Sequence, residues 1–332
     1  MCPRLLKLYI HKKLLNSIFI MFQISLLKNS CIALILLSTF SSCKIPQPLR
    51  SDFAAPASNS EKNWKSIFAQ PKDITVTTLE TGLIKVKVSD VLNLKNPSAK
   101  GMTDSSLYVP VFAHLIHHPI YGDWLVDSGL DSSFFNNPHG NTKGLFKGLF
   151  VCKQKKGQDI TSQLKAKGIS IKGVFFTHLH PDHITGVPGL PQNIRYICGK
   201  GETVSIIRPL GIRLFVSDQL SKVNKIEEFN FSAAEKIDPL SSAIDVFGDG
   251  SFWAISTPGH TVAHTSYIVN TKTGPVLLTG DVSHTKIGWD KGIEPGGFTL
   301  NCPQNLKSLM QLKEFVKAHP QLKIILGHEL MD

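Results

Sequence analysis

The stretch Thr177-His178-Leu179-His180-Pro181-Asp182-His183 packs three imidazoles and a carboxylate into six consecutive positions, 178 to 183. Such a density is costly to bury unless something binds it. Neutral imidazole nitrogens and a carboxylate oxygen are standard ligands of zinc and similar divalent ions. His178 and His180 stand two apart and point the same way off an extended backbone, while Asp182 and His183 follow the bend at Pro181 and can turn toward a second ion. Two adjacent metal sites from one short loop are therefore expected.

The elements that must position this loop can be read around it. The apolar run Ile171 to Phe176 reads as a buried strand leading into it. Three more candidates each follow such a run. His260 sits on the tight turn Thr257-Pro258-Gly259-His260-Thr261, Asp281 follows Pro275 to Leu278, and His328 follows Lys323 to Leu326. Further strands are predicted over Ile74 to Thr78, Leu83 to Val88, Tyr108 to His117, Trp124 to Val126, Ile212 to Val216, Ser251 to Ser256 and Thr265 to Val269. Helices are predicted over Ile160 to Lys167 and Asn305 to Ala318. Strands in quick succession with helices arriving between them predict a layered α/β sandwich rather than a doubly wound sheet.

The 332 residues carry a formal charge of +11. Residues 1–43 hold five Lys or Arg, no acid, and the apolar or small-residue run Cys31 to Phe40, which is too short to span a bilayer. The run ends in Phe40-Ser41-Ser42-Cys43, which resembles the lipobox of bacterial lipoproteins, with Cys43 as the lipidated residue. Processing there would lower the charge from +11 to +6. The remaining cations are scattered, so no nucleic-acid footprint is expected. Cys152, Cys198 and Cys302 are then left, an odd and unspaced set that gives no disulfide framework. The expected division is a signal segment over 1–43, a flexible Ser- and Pro-rich tether over 44–70, and one large α/β domain over 71–332.

The motifs taken together resemble the metallo-β-lactamase superfamily. Its His-x-His-x-Asp-His motif is matched by His178, His180, Asp182 and His183, its third histidine by His260, its bridging aspartate by Asp281 and its last histidine by His328. The resemblance implies a four-layer αβ/βα sandwich in which His178, His180 and His260 hold one metal, Asp182, His183 and His328 hold the other, and Asp281 bridges. It also implies that Asp127, in Leu125-Val126-Asp127-Ser128-Gly129, supports the ligands from behind. Within the superfamily the chain is most similar to the N-acyl-homoserine lactonase branch, through Pro110 to Pro119 and Thr257 to His264. Two departures stand out: Ala263 replaces a glycine, and His284 stands where that branch carries a substrate-contacting tyrosine.

The implied protein is a dinuclear metal-dependent hydrolase, with zinc expected and iron, manganese or cobalt also suited to the ligands. A metal-bridging hydroxide would attack an ester or lactone carbonyl, and Asp182 and His284 are the candidates for moving the leaving-group proton. A small-molecule ester or lactone is the expected partner, and a lipid anchor would hold the protein in the bacterial cell envelope. The alternatives are a phosphodiesterase on the same site and, from another class, a non-catalytic metal-binding lipoprotein. His114, His117, His118 and His264 read as strand or loop residues rather than ligands. Phe134, Phe135, Phe146, Leu149 and Phe150 could wall an acyl-chain pocket or merely cover the core.

Overall fold

The computed structural model describes residues 48–60, 63–142, 150–204, 216 and 218–331. The segment expected to be a signal, with Cys43, lies outside them, as do Phe146 and Leu149.

Two sheets face each other. The larger runs in the order β1 (Leu49–Asp52), β8 (Lys225–Phe229), β7 (Arg195–Gly199), β6 (Ile171–Phe175), β4 (Gly122–Val126), β3 (Ser106–His118), β2 (Thr75–Lys87), β5 (Cys152–Lys153). The smaller runs β14 (Lys323–Ile325), β13 (Gly274–Leu278), β12 (Thr265–Thr271), β11 (Phe252–Ser256), β10 (Leu240–Asp245), β9 (Glu235–Ile237). Strand periodicity sorts the side chains. Phe252, Ala254, Tyr267 and Val269 face the larger sheet and pack with Ile116, Trp124, Val126 and Phe175 between the layers. Their alternates Trp253, Ile255 and Ile268 face outward and pack against Leu309, Leu312 and Phe315 of the helix Cys302–Ala318. On the other side, Leu125 and Val174 pack with Ile160 and Leu164 of the helix Ile160–Ala166. Helix, sheet, sheet, helix is the four-layer αβ/βα order expected.

Helix boundaries follow capping chemistry. Asp159 accepts from the amide of Ser162, and Asn301 from that of Gln304, each satisfying a donor that the helix itself leaves unpaired.

Strand direction decides where the chemistry collects. β4 and β6 are parallel, β11 and β13 each run antiparallel to β12, and β13 and β14 are parallel. The segments after β11, β13 and β14 therefore leave the smaller sheet at one end, as those after β4 and β6 leave the larger. These five segments carry Asp127, the 178–183 loop, His260, Asp281 and His328.

The flexible tether expected over 44–70 is corrected across its described residues, 48–60 and 63–70. Leu49–Asp52 pairs in parallel with β8, and Phe53 packs edge-on against Phe229 with ring centroids 4.9 Å apart. Ser58 and Ser60 donate to Oδ2 of Asp245, and the buried Trp64 donates from Nε1 to the carbonyl of Ile237. Polar composition hid a few large apolar anchors, which are enough to fix a segment to a sheet edge. The strand expected at Ile212 to Val216 meets a helical residue at Val216, with 211–215 outside the described residues. Strands β1, β5, β7, β8, β9 and β10 were not read from the sequence. No described helix is long and apolar enough to cross a membrane.

Candidate metal centre

The 178–183 loop begins two residues past Phe176, and Thr177 between them holds it to the previous strand end. The amide and hydroxyl of Thr177 each donate to the Asp127 carboxylate at 2.8 Å, and His183 Nδ1 donates to the same carboxylate at 2.8 Å. Asp127 is buried and adopts φ 60, a left-handed conformation that Asp tolerates better than most residues. Its hydrogen bonds tie the first turn of the loop to the end of the neighbouring strand.

Each imidazole is aimed by its far nitrogen. His178 Nδ1 lies 3.0 Å from Thr177 Oγ1, His260 Nδ1 lies 3.0 Å from Thr299 Oγ1, and His328 Nδ1 donates to the carbonyl of Pro110 at 2.8 Å. With Nδ1 engaged in this way, Nε2 of His178, His183, His260 and His328 faces inward toward the two aspartates.

Two groups of donors result. His178, His180, His260 and Asp281 form one, and Asp182, His183 and His328 the other. In the first, His178 Nε2 and His260 Nε2 lie 3.6 and 3.3 Å from Asp281 Oδ2, and His260 Nε2 lies 2.9 Å from His180 Nδ1. In the second, His183 Nε2 and His328 Nε2 lie 3.6 and 3.4 Å from Asp182 Oδ2. Asp281 reaches both, with Oδ2 at 3.5 Å from His183 Nε2 and Oδ1 at 3.6 Å from His328 Nε2.

These residues fit a pair of divalent ions. Donors about 2.1 Å from a tetrahedral ion are separated by about 3.4 Å, close to most of the spacings found. His178 Nε2, His183 Nε2 and Asp281 Oδ1 are buried without a hydrogen-bond partner, a condition natural cores rarely leave uncompensated.

The electrostatics agree. Burial holds His178 and His260 well below the ordinary histidine pKa and brings His180 down to about 4, so all three offer neutral nitrogens at neutral pH. Burial pushes His183 and His328 the same way. Asp281, with Asp127 and Asp182 for the first and Asp182 for the second, overcomes it and raises both. Burial would raise Asp281, yet His284, His183 and His328 hold it well below the carboxylate range. An incoming ion would displace the protons on His183 and His328.

Several supporting residues went unread in the sequence. His264 is no ligand, but its Nε2 accepts from the Asp281 amide at 2.9 Å and its Nδ1 lies 2.9 Å from Thr257 Oγ1. The buried Glu202 accepts from Thr261 Oγ1 and from the Ala263 amide, gripping the turn that presents His260. The repeated histidine at 260 and 264 was the available signal for the first; nothing local marks Glu202. Two glycines leave room for the Asp281 carboxylate and its partners. A Cβ on Gly280, at φ 53, would come within 2.6 Å of His264 Nε2, and one on Gly327 within 2.3 Å of Asp281 Oδ1.

His114, His117 and His118 lie outside the site and bond to Thr78, Asp123 and Asp249. His284 lies inside it, buried, with Nε2 3.0 Å from Asp281 Oδ2. A cavity of about 120 Å³ opens over the donors, walled by Ile84, Val86, Val91, Phe150 and Phe298. Phe134 instead belongs to the core, and Phe135 is exposed. A larger cleft of about 960 Å³ between Asp73 to Val76 and Leu322 to Ile325 contains no histidine or cysteine and one acid, so it lacks the means for this chemistry.

The sequence profile of the Metallo-beta-lactamase superfamily matches residues 122–328. The N-acyl homoserine lactonase AttM of Agrobacterium fabrum is 29% identical over 265 residues, covering 77% of this chain and 94% of that protein. A Bacillus thuringiensis AiiA variant with N-decanoyl-L-homoserine bound at its active site superposes with a TM-score of 0.60 at 24% identity, over 78% of this chain and 94% of that one. An N-acyl homoserine lactone hydrolase with N-hexanoyl-L-homoserine at its catalytic metal center gives the same score, identity and coverage.

Proposed function

Because the chain belongs to the metallo-beta-lactamase superfamily, we propose that it is a dinuclear metal-dependent hydrolase that opens lactones or cleaves esters. The observation that carries this reading is the pair of donor groups joined by Asp281 at the floor of an apolar-walled cavity. The relative named as an N-acyl homoserine lactonase along most of its length supports the lactone as substrate. Nothing comparable favours phosphodiester hydrolysis or a non-catalytic role.

His178, His180, His260, Asp182, His183, His328 and Asp281 would hold the ions, with zinc the best-suited pair. Bound there, such ions supply an acidified water as nucleophile and polarise the carbonyl oxygen. The rest falls to the chain. Ile84, Val86 and Phe298 exclude water from the acyl side, and the cavity admits a small ring with its carbonyl toward the donors. Asp182, at the edge of the cavity with a partly exposed carboxylate, takes the proton released on attack and returns it to the departing oxygen.

The test is turnover of a chain beginning at Gln47, loaded with two equivalents of Zn²⁺, on a long-chain N-acyl-homoserine lactone, an aryl ester and an aryl phosphodiester. Lactone turnover that falls by about 100-fold or more in Asp182→Ala is expected. Phosphodiester turnover alone, or none on the three, overturns the substrate assignment. We further propose an envelope location through a lipidated Cys43, supported by the apolar run and small residues before it. Mass analysis of the mature N-terminus checks this, and an intact residue 1 refutes it.

A further inference from the structure

His284 is the one imidazole in the cavity floor whose two ring nitrogens both lack a hydrogen-bond partner, although the side chain is 6% exposed. Every neighbouring histidine has its far nitrogen tied to a threonine, an aspartate or a carbonyl, or meets another imidazole. Leaving both polar atoms of one buried ring unsatisfied is costly. A fold that keeps such a ring has something else for it to bind.

Its position says what. Nε2 lies 3.0 Å from Asp281 Oδ2, without the alignment of a hydrogen bond, and the ring centroid lies 5.0 Å from that of His328 and 5.3 Å from that of His260. Asp281, His284 and His328 place one donor atom each within 4.8 Å of one another, forming a third donor group that shares members with both of the others. The backbone holds this arrangement: the His328 amide donates to the His284 carbonyl at 3.0 Å, and the Gly327 amide to the Ser283 carbonyl at 3.0 Å. His284 and His328 are thus carried by two paired backbone segments.

We propose that His284 is an additional ligand of the ion held by Asp182, His183, His328 and Asp281. This rests on the dinuclear reading above and reassigns His284 from proton transfer to ligation, leaving the proton to Asp182. A fifth protein donor exceeds the four of a tetrahedral structural site, so this ion takes a higher coordination number than its neighbour. The sequence could not show this, because a histidine three residues after Asp281 reads equally well as a proton donor.

The decisive experiment measures metal binding rather than turnover. Stripped protein beginning at Gln47 is titrated with Co²⁺ and followed by visible absorption, with stoichiometry by elemental analysis, for the parent chain, His284→Ala and His284→Gln. The parent should bind two equivalents. Both variants should bind the first as the parent does and the second at least tenfold more weakly, with a changed absorption band for that second equivalent. Added imidazole should restore the parent spectrum in His284→Ala, which a variant that has merely misfolded cannot do. Two equivalents bound by both variants with parental affinity and spectrum would overturn the proposal and return His284 to proton transfer, leaving the dinuclear reading intact. Fewer than two equivalents in the parent would instead refute the dinuclear reading, and this proposal with it.

Discussion

Asp127 shows how much of a metal site resides in residues that never touch the metal. Three hydrogen bonds converge on its carboxylate, two from Thr177 and one from His183 Nδ1. Asp127→Asn keeps the left-handed backbone, which Asn tolerates, but turns one acceptor oxygen into a donor facing either Thr177 or His183. Metal affinity should fall by about 10–100-fold with little change in fold. Equilibrium dialysis against zinc measures this, and unchanged affinity would show that His183 needs no support. The candidate ligands were legible because their types are rare and their spacing dense. His264 and Glu202 were not, because they act through backbone amides, and a residue that orients another's amide leaves no pattern in its own neighbourhood.

Among the elements, the legible ones were those with a continuous apolar run. The strand Ile171–Phe175 and the helix Ile160–Ala166 fall within a residue or so of their expected limits, since burial on both faces of the strand and a capping Asp159 leave little choice. Strand Lys225–Phe229 was missed because two glutamates interrupt it: Glu227 pairs with Arg195, and Glu228 accepts from Thr203. The N-terminal segment was misjudged for the opposite reason, as its serines and prolines outnumber the few residues that anchor it. Trp64 and Ile67 are 2% and 3% exposed, against Trp253 and Phe315. Burying each is worth about 1.5–3 kcal/mol. A chain beginning at Asp73 should therefore be less stable than one beginning at Gln47 by roughly 3–6 kcal/mol, read from urea unfolding midpoints. Equal midpoints would restore the tether.

At the scale of the molecule, burying so many neutral imidazoles makes the metal-free protein sensitive to acid. Burial takes His114 down to about 3, helped by the nearby charge of His183. Its folded pKa lies below the unfolded value of 6.5, so the unfolded chain binds the proton first. Stability is present above pH 6.5 and is lost as pH falls toward 3, by ~1.4 kcal/mol per pH unit for one such group. His264, also down to about 3, and His180, down to about 4, act in the same direction, while Glu202, raised by burial to about 7, opposes them between pH 4.5 and 7. The melting temperature of stripped protein should fall between pH 6.5 and 4, and less steeply in His114→Gln. A profile identical to the parent's would mean that His114 is protonated in the fold.

The convergence of five strand ends has a temporal consequence. The first donor group draws His178 and His180 from the loop after β6 of the larger sheet, and His260 and Asp281 from those after β11 and β13 of the smaller. His180 and His260 are 80 residues apart, and His328 is held by a carbonyl 218 residues upstream. Contacts of that separation close late, after the entropy of long loops has been overcome. A full donor set should therefore be assembled only once both sheets have docked, and bound ions would act as a cross-link between them. Their effect should lie on the rate of coming apart, so metal starvation would leave a folded chain with a shortened lifetime against proteases.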